Sequence, residues 1–359
     1  MNDSPRIAIA WKGLPAYGAR LIRSAQQAVD EPIAVIGTRA TVAVADVESI
    51  LGGPIHWIDD DRPVRWSELG LRPPELFIET AWATPAFNDL TRQVKQAGGK
   101  VVSMVDNRWK GSLRQWAGMI YFRLRLRRLY DAVWVPGASA RQFCRMLGMP
   151  DARIYGHLYS GWTERFPPGP SLDERPKRML FVGQYIHRKG LDLLIDAWPQ
   201  FSARWPVWEL QLIGSGEMQA RLERELPLAK IEPFRQTDEI AAAMRAARFL
   251  VLPARDDHWP LVVHESASSG CALLLSSTIG NALEFATPLN SVVFPTGDAL
   301  ALGAALSEAA GKSDSWLQAA SDESRRLAAE FGPDRFAGTF NQICHDLLNV
   351  PPKAKVPSS

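Results

Sequence analysis

The chain has 359 residues, 46% of them apolar and 22% charged, with a net charge of +2. That length suggests two domains with their own cores, and the near-neutral balance singles out no partner for the molecule as a whole. Three cysteines, Cys144, Cys271 and Cys344, stand far apart, which gives neither a metal spacing nor a disulfide framework and fits a reducing compartment. No apolar stretch approaches the ~18–20 residues that span a membrane. The N-terminus shows no signal-peptide pattern, since charge begins at Asp3 and Arg6, so the expected location is cytoplasmic.

In chain order, RIAIAW (6–11) reads as a buried strand, followed by the loop KGLPAYG and a helix through Ala28. PIAVIG (32–37), ELFIET (75–80), KVVSMV (100–105) and AVWVP (132–136) are further strands, with helices predicted around 86–97 and over 139–148. Between them, the segment from Arg108 to Arg128 holds seven basic residues and no acid, interleaved with Trp109, Trp116, Ile120, Tyr121, Leu124 and other apolar side chains. On a helix from about 112 to 129, Arg123 and Arg127 share a face, with Trp116 and Ile120 in one row. Such a helix can lie on an anionic membrane surface; it can equally pack its leucines inward and expose its arginines. No nucleic-acid module accompanies it.

Residues 156–176, rich in proline and charge, read as an interdomain linker. A second alternating set follows over 177–332: strands at 178–183, 208–214, 248–254 and 271–277, and helices at 191–201, 217–227, 239–247, 299–310 and 314–331. A helix at 333–350 is a candidate to return to the first domain (1–155), and the tail 351–359 is expected to be disordered. Short apolar runs alternating with helices argue for an α/β chain of two doubly wound Rossmann-like domains with a ligand cleft between them.

Three loops of the second half carry chemistry. In FVGQYIHRKGLDLL (181–194), Arg188 and Lys189 stand just before a helix, where cations can meet a diphosphate; a solvated basic pair fits the same residues. In LIGSGEM (212–218), Gly214 and Gly216 let the backbone turn tightly and approach a ligand. In PARDDHWPLVVHE (253–265), Asp257 and Glu265 lie eight positions apart across an apolar run, with a helix beginning near Val262. A helix N-terminus favours an anionic group, and a cleft carboxylate accepts hydrogen bonds from sugar hydroxyls. A diphosphate with a sugar on each side satisfies all of these groups; a surface loop with two solvated acids is the plainer alternative. His258 is a candidate ligand contact in that loop, beside the commoner structural role of a lone histidine. The first loop, Trp11–Gly18, lacks GxGxxG, which counts against a nicotinamide or flavin enzyme. The run Asp59–Asp61 contains DxD formally and reads as a solvated turn, so neither a metal nor a resident cofactor is expected.

Together the strand–G–x5–KG–helix, the LxxxGxG turn and the acid-x7-Glu segment, with GNALEF (280–285) after the next strand, resemble the retaining GT-B glycosyltransferases of the large family four (glycosyl transferases group 1). The resemblance is strongest over 178–300. It implies that Lys189 neutralises the diphosphate of a UDP- or GDP-linked donor sugar and that Glu265 accepts hydrogen bonds from the ribose. It also implies that Asp257 stands near the donor sugar and that Gly13 lets the backbone approach the diphosphate or acceptor. The chain departs from the pattern at four places. Gln184 replaces the usual arginine, with Arg188 as a shifted substitute. Asp257 is one methylene shorter than the usual glutamate. Pro260 replaces a glycine, which leaves phosphate contact to the amides of Leu261 and Val262. Asp106 stands where many members carry a histidine near the transferred sugar. The resemblance implies sugar transfer with retention, without an essential metal, to a glycan or lipid-linked glycan, as in surface polysaccharide assembly. Two alternatives share the fold: a catalytically degenerate homologue that binds a nucleotide sugar or supports a partner enzyme, and a sugar-nucleotide epimerase.

Overall fold

The computed structural model describes residues 4–39, 46–80 and 84–350; the tail expected to be disordered lies outside the described residues. The chain divides into two compact units, the first formed by residues up to Ser160 and from Pro333 onward, the second by Gly161–Gly332.

The first unit runs β1 (Ile7–Trp11), α1 (Ala16–Ala28), β2 (Ile33–Gly37), α2 (Val47–Leu51), β3 (His56–Trp57), β4 (Leu76–Thr80), α3 (Pro85–Gln96), β5 (Lys100–Met104), α4 (Leu113–Tyr121), β6 (Ala132–Trp134), α5 (Ala138–Met146) and β7 (Ile154–Tyr155). Its strands form one parallel sheet in the order β3-β2-β1-β4-β5-β6-β7. Strand alternation splits the core in two. Ile7, Ile9 and Trp11 face a layer containing Leu21, Ile22, Phe336 and Phe340. Ala8, Ala10 and Phe77 face Phe87, Leu90, Phe122 and Phe143.

The second unit runs β8 (Arg178–Val182), α6 (Leu191–Arg204), β9 (Glu209–Ile213), α7 (Gln219–Glu225), β10 (Lys230–Glu232), α8 (Thr237–Arg245), β11 (Phe249–Leu252), α9 (Leu261–Ser268), β12 (Ala272–Ser276), α10 (Ala282–Phe285), β13 (Ser291–Phe294), α11 (Ala299–Ala310) and α12 (Asp314–Ala329). Its parallel sheet has the order β10-β9-β8-β11-β12-β13. The last helix, α13 (Pro333–Leu348), belongs to the first unit, where Phe336 stacks on Trp134 with ring centroids 4.4 Å apart.

The stretch read as a linker is corrected by the structure: from Gly161 onward it is part of the second unit. Phe166 and Leu172 are buried there, and the buried Arg175 guanidinium donates to the carbonyls of Pro170, Ala247 and Ser269 at 2.8–2.9 Å. A cation satisfied by backbone carbonyls can be interior, so prolines and charges here did not mean a solvated connector. Burial lowers the Arg175 pKa, countered by the neighbouring Cys271.

The basic segment also departs from a plain helix. After α4 the chain makes a π-helical turn over Phe122–Leu126, closed by Arg127 N–H donating to the Phe122 carbonyl at 2.7 Å. Arg123 and Arg127 do reach the same way, toward the end of α5, and Arg123 stays exposed. Arg123 Nη2 donates to Met146 O at 2.6 Å and Arg127 Nε to Gly148 O at 3.3 Å, where cations complement the C-terminal end of α5.

Candidate functional site

In the second unit the chain leaves β8 toward β9 on one side and returns to β11 on the other. The loops after β8 and β11 therefore diverge at the carboxyl end of the sheet, which is where open α/β sheets place ligands. Gly190 closes the first of these loops at φ 71, and a Cβ there would lie 2.0 Å from the Pro253 carbonyl oxygen. Only glycine permits that approach, and it sets Lys189 against Asp257. Lys189 Nζ and Asp257 Oδ2 are 2.5 Å apart, with the side chains 12% and 13% exposed. Arg188 donates to the Asp256 carbonyl at 2.7 Å, and Arg255 clamps Asp192 through two bonds of 2.6 Å. Gln184, in the same loop, is exposed.

The loop after β12 braces the acidic segment. Gly280 N–H donates to Asp257 O at 2.8 Å, and a Cβ on Gly280 would meet the His258 carbonyl at 1.8 Å. The buried Asn281 donates to Pro260 O at 3.0 Å. Pro260 precedes α9, so the amides of Leu261 and Val262 open its first turn and have no acceptor within the helix. One turn on, Glu265 is half-buried, and a Cβ on Gly161 would approach its Cγ to 3.0 Å. His258 faces Asp256, with Nε2 3.8 Å from Oδ2. His264 is structural: fully buried, its Nδ1 accepts from Gly161 N–H at 2.9 Å, which leaves Nε2 to donate to Ala328 O at 2.9 Å.

Gly214 and Gly216 serve the protein's own backbone. A Cβ at Gly214 would fall 1.9 Å from Gly183 O, and one at Gly216 2.5 Å from Tyr185 O. The tight turn read from the sequence thus seats the loop after β9 against the loop after β8, where Tyr185 N–H donates to Ser215 O at 2.8 Å. Gly214→Ala should lower the melting temperature of the purified protein, since overpacking of this kind costs about 1–3 kcal/mol; an unchanged melt would show that the two loops separate freely.

Gly13 and Asp106 belong to the first unit, at the carboxyl ends of its strands. Gly13 has φ 57 and donates its N–H to Thr38 Oγ1 at 2.7 Å. Asp106 accepts from the Tyr159 hydroxyl at 3.3 Å, beside an aromatic cluster in which the Trp11, Tyr17 and Tyr159 rings lie 6.0–6.1 Å apart. Burial, reinforced by the Asp106 charge, pushes both tyrosine hydroxyls well above their ordinary range. Asp60, in the acidic run, pairs with Lys12 at 2.9 Å, and Asp59 lies 3.6 Å from Arg62; their partners are the protein's own cations.

The second unit therefore gathers Arg188, Lys189, Asp257, His258, Leu261, Val262 and Glu265 on two divergent loops and one helix start. Gly190, Gly280 and Asn281, which hold those loops in place, were not singled out from the sequence. The KG and GNALEF strings contained them, but the close approaches that require them are tertiary. Chemically the group offers a cation, helix amides and a carboxylate, a set suited to a diphosphate beside hydroxyl groups.

The family described as glycosyl transferases group 1 matches residues 176–311. An uncharacterized glycosyltransferase of Haemophilus influenzae is 28% identical over 102 residues, 27% of this chain and 29% of that protein. A phosphatidyl-myo-inositol mannosyltransferase of Mycolicibacterium smegmatis is 31% identical over 119 residues, 31% of each chain. The chain thus matches under a third of the length of these relatives. Among solved structures, Anabaena HepE in complex with UDP has a TM-score of 0.73 at 14% identity, covering 96% of this chain and 99% of its own. A Rickettsia africae glycosyltransferase has the same TM-score at 9% identity, again covering 96% and 99%. The group 1 match thus lies over residues 176–311, across the loops after β8 and β11, and the GT-B fold extends over nearly the whole chain.

Proposed function

We propose that the protein is a retaining, metal-independent glycosyltransferase. It moves a hexosyl or related sugar from a UDP- or GDP-linked donor to a glycan or lipid-linked acceptor in surface polysaccharide assembly, at the inner face of the cytoplasmic membrane. The observation that carries this reading is the convergence of Lys189, Asp257 and the start of α9 at the switch point of the second sheet. As the bond from the anomeric carbon to the diphosphate breaks and the bond to the acceptor oxygen forms, negative charge grows on the leaving diphosphate. The Lys189 ammonium and the Leu261 and Val262 amides are the groups to stabilise it. Glu265 accepts from ribose hydroxyls. The UDP complexes of HepE support a uridine donor, and the mannosyltransferase relative's name supports a lipid acceptor.

The test is thermal stabilisation by UDP, GDP and their sugar conjugates, followed by turnover with the stabilising donor. A ligand that binds only the native state raises the melting temperature. The expected result is a shift with one nucleoside diphosphate that is lost in Glu265→Ala. Absence of any shift would overturn the donor site. A shift without turnover on any acceptor would favour the catalytically degenerate reading, which the uncharged Gln184 also favours.

A further inference from the structure

We propose that the outward face of α4 and the π-helical turn after it docks on an anionic lipid bilayer; this extends the peripheral placement above by naming the surface and the lipid charge it reads. This segment has two apolar faces. Met119 and Phe122 point into the core of the first unit, 8% and 2% exposed. On the other side Leu113 (87% exposed), Trp116 (46%), Ile120 (54%), Tyr121 (57%) and Leu124 (76%) face solvent. Leu113, Trp116, Ile120 and Leu124 follow each other at spacings of three and four residues and line one stripe, with Tyr121 beside it. Among the described residues these are the only large apolar side chains so exposed in the first unit; the others lie between Val207 and Leu300 in the second.

The stripe is flanked by the exposed Lys110, Arg114, Arg125 and Arg128, and no acid occurs between Asp106 and Asp131. Arg123 and Arg127 are turned onto the carbonyls at the end of α5 and fix the helix to the unit. The result is a rigid surface with an apolar ridge, an interfacial pair of aromatics in Trp116 and Tyr121, and a cationic border. Anionic headgroups match the border while the ridge enters the acyl boundary. A second copy of this chain would oppose like charges across a two-fold axis, and a nucleic acid would leave the ridge in water. No helix among the described residues is long and apolar enough to cross a membrane, so the contact lies in the plane of the surface.

The experiment is co-sedimentation of the full chain with vesicles of phosphatidylcholine alone and of phosphatidylcholine mixed with phosphatidylglycerol. The wild type should bind the mixed vesicles and lose them in high salt. Removing three border cations (Arg114→Gln, Arg125→Gln, Arg128→Gln) should weaken that binding roughly a hundredfold. Replacing the ridge (Leu113→Gln, Ile120→Gln, Leu124→Gln) should abolish it. Nucleotide-induced stabilisation should be equal in all three proteins, which separates failure of this surface from failure of the donor site. Binding to neither vesicle, binding that ignores phosphatidylglycerol, or a concentration-dependent dimer that the ridge substitutions dissolve would each overturn the proposal.

Discussion

Lys189→Ala should do two separable things: lower the melting temperature and remove the response to nucleoside diphosphates. The first follows from the partner left behind. Asp257 is only 13% exposed, and its carboxylate is paired with Lys189 at 2.5 Å. Breaking a buried ion pair by removing one side strands the other charge at a cost of about 3–5 kcal/mol. Because both side chains keep some solvent contact, the lower end of that range, about 3 kcal/mol, is expected here. Removing both side chains, in Lys189→Ala with Asp257→Ala, should recover most of the lost stability, and a double-mutant cycle isolates the coupling. It should not recover nucleotide binding, because no carboxylate takes part in that loss. An ammonium has three donors; one is committed to Asp257, and two remain for phosphate oxygens. Asp257 then acts by holding Lys189 in place, and the loss in kcat/KM for Lys189→Ala should be about a hundredfold to a thousandfold, the scale of losing one preorganised donor to a developing anion. Retention of the nucleotide response in Lys189→Ala would move the diphosphate to Arg188 and the α9 amides alone.

Much of this site was legible in the sequence because its parts are local. A strand end, a charged loop residue (a cation in 181–194, a carboxylate in 253–265) and a helix start follow each other within a few residues, and the alternating pattern places both segments at the carboxyl ends of strands. What the sequence did not convey was pairing across strands. Lys189 and Asp257 are 68 positions apart and were read as separate ligand contacts, yet they meet because β8 and β11 are neighbours. The glycine pair 214 and 216 carried a true signal of close approach, but pattern alone does not say whether a ligand or a carbonyl of the same chain is what comes close. Composition misled over 161–176, where Arg175 turns inward to cap carbonyls. Over 108–128 a helical wheel rightly put Arg123 and Arg127 on one face, but it could not show that both bond carbonyls at the end of α5.

A buried carboxyl in the first sheet went unread for a related reason. ELFIET has the look of an ordinary strand, and Glu79 within it is fully buried between β1 and β5, in register with Ala10 and Ser103. Burial pushes its pKa up to about 8, and the Ser103 and Tyr130 hydroxyls pull the other way to a smaller extent. Neither closes a regular hydrogen bond: among the described residues both carboxyl oxygens and both hydroxyls lack a partner in bonding geometry. The folded protein thus holds a proton that the unfolded chain releases near pH 4.5. Between those values the native state binds more protons, so stability falls as pH rises. The favourable neutral form is fully present below about 4.5 and is lost as pH passes through about 8. Each pH unit in that window removes about 1.4 kcal/mol at most. Glu79→Gln keeps the volume, carries no charge, and should melt higher than the wild type at pH 8 while matching it near pH 5. The difference between the two proteins is the quantity to measure, by thermal or denaturant unfolding across the range. The paired carboxylates Glu75, Asp192 and Glu232, held below their ordinary range, lose stability only on the acid side, and they cancel in that difference. A difference that stays flat from pH 5 to 8 would mean that Glu79 is already ionised in the folded state and has found a partner or water. A difference that grows with pH would mark the first sheet as a fold that carries a neutral acid in its core.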